Sequence, residues 1–150
     1  MRLQLALNVE DLDSAIDFYT KMFDTAPVKV RDGYANFAIE SPPLKLVLFE
    51  GVGASGSINH LGVEVEASEQ VVAAESRLTD SGIETTGIDA TVCCYAEKTE
   101  TWVHGPDGTR WEWYVKHADA EQLDHTVVTS EAANTSNTSS TANTPSSCCP

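Results

Sequence analysis

The chain has 150 residues, 41% of them hydrophobic, enough for one domain with a real core. Its 9 Lys+Arg against 23 Asp+Glu give a formal net charge of −14, which argues against nucleic acid or an anionic membrane as a partner and fits a solvated acidic surface. No apolar run approaches the roughly 20 residues of a membrane span, and Met1-Arg2-Leu3-Gln4 leads straight into an alternating pattern, so a cytoplasmic protein with reduced thiols is expected.

In chain order, Leu3, Leu5, Leu7 and Val9 alternate with Gln4, Ala6 and Asn8, the pattern of a half-buried strand. Residues 11–23 carry Leu12, Ala15, Ile16, Tyr19, Met22 and Phe23 at helical spacing. Extended segments follow at 28–30, 34–39 and 44–49, the last bounded by Pro42-Pro43 and Gly51-Val52-Gly53. The order then starts again. Residues 60–66 alternate as a strand, and Ser68 caps a helix that runs through Val71, Ala74 and Leu78 to Gly82. Strands are expected at 83–88, 92–96, 101–104 and, after the turn Gly105-Pro106-Asp107-Gly108, at 110–115. The fold class is therefore α+β, with two βαβββ modules at about 1–50 and 58–116 inside a domain of residues 1–120. From Thr126 onward the sequence is mostly Ser, Thr, Asn and Ala with no aromatic residue, so 121–150 is expected to be a disordered tail ending in Cys148-Cys149.

The two halves can be aligned on their first strands. Gln4 lies five residues before Val9 and His60 five before Val65, and the last strands align Lys45 with Glu112. Alternation puts all four on the face turned away from the helices, so a curled sheet would converge them on one cavity. Two readings of that cavity are open. Gln4, His60 and Glu112 could hold a metal, or Gln4 and Glu112 could be a hydrogen-bonded pair in a wet groove beside a satisfied core histidine. Lys45, protonated at neutral pH, would repel a cation and cannot complete a four-ligand set. His104 reads as a support for the turn before the last strand.

The paired modules with candidate ligands on their first and last strands, together with Leu7-Asn8-Val9-Glu10-Asp11-Leu12, Phe18-Tyr19, Pro106-Asp107-Gly108 and Trp111-Glu112, resemble the vicinal oxygen chelate superfamily of glyoxalases, extradiol dioxygenases and bleomycin- or fosfomycin-resistance proteins. The resemblance spans about residues 1–116 and implies a curled mixed sheet around a metal cavity. A narrower one lies in Gly33-Tyr34-Ala35-Asn36-Phe37-Ala38-Ile39, Pro42-Pro43-Leu44-Lys45-Leu46-Val47-Leu48, Asn59-His60-Leu61-Gly62-Val63-Glu64 and Cys93-Cys94-Tyr95. These stretches are similar to the organoarsenical carbon–arsenic lyases, non-haem Fe(II) dioxygenases related to cadmium-induced proteins. That resemblance implies an Fe(II) triad of Gln4, His60 and Glu112 and a substrate site at Cys93 and Cys94. The substrates implied are O2 and a trivalent methyl or aromatic arsenical, with arsenite released. Because the superfamily hosts several chemistries, two alternatives stand beside it: thiol-based sequestration of arsenicals or cadmium without turnover, and a metal-dependent glyoxalase- or thiol-transferase-like reaction. A monomer and a homodimer formed through sheet edges are both open.

Adjacent cysteines suit such a substrate. Their Cα atoms lie only about 3.8 Å apart, whereas disulfides want about 4.4–6.8 Å, so the pair is better placed to chelate one thiophilic atom than to oxidise. Trivalent arsenic with one carbon substituent has two displaceable hydroxyls, matching two thiols. On a regular strand the two side chains would point to opposite faces, so chelation requires irregular backbone at 93–94. The bland alternative makes Cys93 a small core residue and Cys94 an exposed one. For Cys148 and Cys149 the choice lies between a dispensable tail end and a second capture site on a tether.

Overall fold

In the computed structural model, which describes residues 1–128, the chain runs β1 (Arg2–Val9), α1 (Leu12–Phe23), β2 (Lys29–Arg31), β3 (Tyr34–Ile39), β4 (Leu44–Glu50), β5 (Ile58–Glu64), α2 (Ser68–Asp80), β6 (Asp89–Cys93), β7 (Ala96–His104), β8 (Arg110–Asp119) and β9 (Thr126–Val127). The strands form one mixed nine-stranded sheet in the order β2-β3-β4-β1-β5-β8-β7-β6-β9. At its centre β1 and β5 are antiparallel, and each has a parallel partner from its own module, β4 and β8 respectively. Among the described residues no helix is long and apolar enough to cross a membrane.

Alternation decides which face each strand gives to the helices. Leu5, Leu7 and Val9 pack with Leu12, Ile16 and Tyr19 under α1, while Gln4, Ala6 and Asn8 are buried on the opposite face. Helix α1 begins where the Asp11 carboxylate accepts from Ser14 N at 2.8 Å and ends at Asp24 in the left-handed region. In the second module Val71 of α2 packs on Val63, Val65 and Val115. Both helices thus cover the convex side. The concave side is closed by contacts between distant strands: Lys29 Nζ donates to Tyr95 O at 2.8 Å and pairs with Asp119, and the Tyr34 and Tyr95 rings lie 5.0 Å apart.

Several boundaries differ from the sequence expectation. Residues 83–88 form no strand, only a single bridge from Thr85 to Val103, because Gly82 and Gly87 sit at φ 78° and 82° and break the pleat at both ends. The expected strand at 92–96 is split by a turn, with Cys94 at φ 54° and Tyr95 at φ 59°. Ser68 is the first helical residue and not the cap. Ala67 precedes it, and Gln70 Oε1 accepts from Glu66 N and Ala67 N at 2.9 and 3.1 Å. The segment 121–128, assigned above to the tail, packs on the domain instead: Leu123 and Gln122 carbonyls accept from Cys94 N and Tyr95 N, and β9 pairs with β6. Cys148 and Cys149 lie outside the described residues.

One glycine sets the spacing of the central strands. Gly62 on β5 pairs with Gln4 on one side and Glu112 on the other. Neighbouring strands lie about 4.8 Å apart, so a side chain at 62 would stand between those two. A Cβ there would be 3.2 Å from Glu112 O and 3.3 Å from Gln4 Cβ. With none, Gln4 Nε2 reaches Glu112 Oε2 at 3.1 Å. Replacing Gly62 with Val should lower stability in urea unfolding by about 1–3 kcal/mol through overpacking, with Gly62→Ala at the lower end. An unchanged midpoint for Gly62→Val would show that the gap is not needed.

Candidate metal centre and dithiol site

The curl brings Gln4 of β1, His60 of β5, Glu112 of β8 and the Cys93-Cys94 turn to one cavity, which Lys45, Val47, Lys98 and Tyr114 also line. His104, exposed at the end of β7 and paired with Arg110, stays at the turn. The ladder corrects the alignment of the last strands. Leu5 faces Leu61 across the centre, Leu5 pairs with Leu46, and Leu61 pairs with Trp111. One residue further along, Gln4 matches His60 as expected, but the counterpart of Glu112 is Val47 and that of Lys45 is Arg110. A fourth-ligand position is therefore filled by an apolar side chain, not by Lys45.

Three donors meet at the centre. Gln4 Nε2 lies 2.8 Å from His60 Nε2 and 3.1 Å from Glu112 Oε2, and the latter two are 3.7 Å apart. With bonds of about 2.1 Å, a cation at the middle would see them at angles between about 85° and 125°, one face of a coordination sphere. Turning the Gln4 amide over puts Oε1 on that face and directs Nε2 to the Tyr114 hydroxyl, which otherwise donates to Oε1 at 2.6 Å. The residues therefore fit a divalent cation, with Val47 leaving one side without a protein ligand. Among the described residues no three His, Cys, Asp or Glu side chains come together in this way; the third donor here is an amide.

The surroundings hold each donor in place. His60 is 2% exposed, with its ring edge-on to Trp102 at 5.3 Å. Its Nδ1 meets Asn59 Oδ1 at 2.8 Å. Asn59 Nδ2 donates to Asn8 Oδ1 at 2.9 Å, so Oδ1 can only accept, and the network assigns the imidazole proton to Nδ1 and a lone pair to Nε2. Glu112 Oε1 pairs with Lys98, whose ammonium also pairs with Glu100 at 2.8 Å. Burial, with Glu112 and Glu64 nearby, pushes the Tyr114 phenol well above its usual range. Burial likewise lowers Lys45 to about 8, against the opposing pull of Glu64 and Glu112. At Glu64 burial works upward but is overcome by Lys45 and Arg2, which hold the carboxyl low.

The turn at 94–95 supplies the irregular backbone that chelation needs. Cys93 Sγ and Cys94 Sγ lie 3.1 Å apart on the same side, beyond the roughly 2.05 Å of a disulfide bond. An atom bound to both at about 2.3 Å, the length of a metal–thiolate bond, would close an angle of about 85°. Sequence reasoning missed Lys98, Tyr114 and Asn59. Tyr114 was within reach, since it lies two residues after Glu112 on the same strand face.

Residues 3–113 match the Glyoxalase/Bleomycin resistance protein/Dioxygenase superfamily. The chain is 55% identical over 123 residues to a trivalent organoarsenical cleaving enzyme of Thermomonospora curvata, covering 81% of this chain and 82% of that one. It is 53% identical over 120 residues to the cadmium-induced protein CadI of Mycobacterium tuberculosis, covering 80% and 79%. Among solved structures, methylmalonyl-CoA epimerase from M. tuberculosis superposes with a TM-score of 0.58 at 19% identity over 77% of this chain and 87% of that one. The Mn(II)-bound glyoxalase from Novosphingobium aromaticivorans does so with 0.58 at 17% over 80% and 41%. Those two likenesses concern the fold alone. By the family match and the two sequence relatives, the chain belongs to the glyoxalase/bleomycin resistance protein/dioxygenase superfamily.

Proposed function

We propose that the protein cleaves the carbon–arsenic bond of trivalent organoarsenicals, releasing arsenite, in a reaction that depends on Fe(II) and O2. The observation that carries this reading is the single cavity lined by both the three-donor face and the dithiol turn. The name of the 55% identical relative supports the substrate class. Cys93 and Cys94 displace the two hydroxyls of the arsenical, releasing two waters, which fixes the arsenic and its bonded carbon in the cavity that the donor face lines. Fe(II) held by Gln4, His60 and Glu112 would supply the redox chemistry with O2 that breaks that bond. Gly62, Asn59 and Lys98 keep the three donors in register, and Phe49 and Trp102 wall the imidazole off from water.

Two mutant classes should fail differently. In a chain with Cys148 and Cys149 replaced by Ser, Cys93→Ser should lose arsenical binding and keep bound iron. His60→Ala and Glu112→Ala should bind the arsenical about one to one, lose iron, and drop arsenite release at least about 100-fold, while Gln4→Ala, losing a neutral donor, should be milder. Iron content, arsenical binding and arsenite release on each protein, in air and under nitrogen, check this. Equal release by wild type without O2 would remove the oxygen dependence. Binding with no release at all would favour sequestration of the arsenical without turnover.

Lys45 gives a pH signature. Its folded pKa of about 8 lies below the ordinary 10.5, so below pH 8 an ammonium lines the cavity and opposes a cation. That charge also penalises the fold at neutral pH, a penalty that fades as pH rises from about 8 to 10.5. Mn(II) affinity should therefore climb through pH 8 in wild type, and Lys45→Met should flatten that limb and raise affinity at pH 7. Identical titration curves for the two proteins would show that Lys45 does not act on the metal.

A further inference from the structure

The inner cavity has a volume of only about 20 Å³, room for roughly one water-sized group. A second chamber of about 170 Å³ adjoins it and shares Tyr34, Lys45, Cys94 and Ala96 with it. That volume is close to the roughly 150 Å³ known to take a benzene ring. An arsenic atom held by Cys93 and Cys94 has one bond left for carbon. A methyl group fits the inner space, whereas anything the size of a ring must extend into the outer chamber, past Cys94.

The walls of the outer chamber are unlike the rest of the molecule. The chain has 9 Lys+Arg and a net charge of −14, yet four of those nine, Arg2, Lys29, Lys45 and Lys116, line this space, with Glu64 and Asp119 as its carboxylates. Each carboxylate is shared by two cations: Glu64 by Arg2 at 2.9 Å and Lys45 at 4.0 Å, Asp119 by Lys116 at 2.8 Å and by Lys29. Four cations against two carboxylates leave an excess of two positive charges. The Lys116 and Lys29 contacts hold the Asp119 carboxyl down at about 2, so the carboxylates are already spent on these pairs. A concave pocket carrying excess charge of one sign selects ligands of the other.

We propose that the outer chamber receives the organic substituent of the arsenical and favours ring-sized substituents that carry an anionic group, a carboxylate above all. This rests on the dithiol reading of the preceding subsection and assigns the substrate class within it. Arg2 and Lys116 are the specificity-determining cations. Lys29 is fixed by Tyr95 O and Asp119 and shapes the wall, and Lys45 stands where the two chambers meet.

The test is a charge series on one scaffold: trivalent phenylarsenous, 4-carboxyphenylarsenous and 4-trimethylammoniophenylarsenous acids. Binding is measured by calorimetry on the full chain with Cys148→Ser and Cys149→Ser, so that only the Cys93-Cys94 pair captures arsenic. At low salt the carboxylate should bind roughly tenfold more tightly than the neutral parent, the advantage that two partly screened cations supply, with the quaternary ammonium weakest. The order should compress in 0.5 M NaCl, and Lys116→Glu should cancel or reverse it. Equal affinities for the three arsenicals in the parent chain would overturn the subsite while leaving the dithiol reading intact. Failure of all three to bind would overturn the dithiol reading and the subsite together.

Discussion

The carboxylate of Glu112 is 1% exposed in the interior of a curled sheet, and a buried charge has to be compensated where it stands. The compensation is divided between its two oxygens. Lys98, across the β7–β8 ladder, takes Oε1, and Oε2 is left toward His60 and Gln4. Lys98 is in turn held by Glu100, and Glu100 is met by His125 at 3.3 Å from the chain beyond β8. The result is a chain of contacts from the surface to the donor face, His125–Glu100–Lys98–Glu112, whose inner three members alternate in charge. Its inner end offers one carboxylate oxygen for a cation and no more. A face built this way would meet a metal with few protein charges and leave room for other ligands.

Much of this was legible in the sequence, and the failures have identifiable causes. The alternation of β1 and β5 and the helical spacing of α1 were strong because one face of each element is apolar and the other polar, so Gln4 and His60 were placed on the concave side without ambiguity. On the last strands, matching Lys45 with Glu112 is two residues out of register, which keeps the correct face but misses Val47, since a motif constrains side-chain type but not ladder register. Lys98 and Glu100 escaped notice because charged residues at alternate positions resemble a solvated edge. Only the tertiary fold shows them buried, facing Glu112 and each other. Residues 83–88 carry strand-like composition but lie between two glycines in left-handed conformation, and local geometry outweighed propensity.

The dithiol shows the opposite case, where chemistry forecast geometry. Two adjacent thiols can chelate one atom only off a regular strand, and the chain provides positive φ at both Cys94 and Tyr95. Such a conformation costs energy at non-glycine residues. It is offset here by backbone hydrogen bonds: Cys94 N to Leu123 O, Tyr95 N to Gln122 O and Ala120 N to Tyr95 O, at 2.9, 2.9 and 3.0 Å. The Lys29 ammonium adds a fourth contact at Tyr95 O.

Those hydrogen bonds tie the two thiols to a stretch of chain remote from them in sequence. Residues 120–128 do not line the inner cavity, yet through the Leu123 and Gln122 carbonyls and Ala120 N they fix the torsion angles on which the sulfur spacing depends. On the proposed reading, capture of a thiophilic atom can be retuned by changes at residues 120–128, without touching Cys93, Cys94 or the three donors Gln4, His60 and Glu112. In a graft between relatives, residues 120–128 belong with the Cys93-Cys94 turn that they hold.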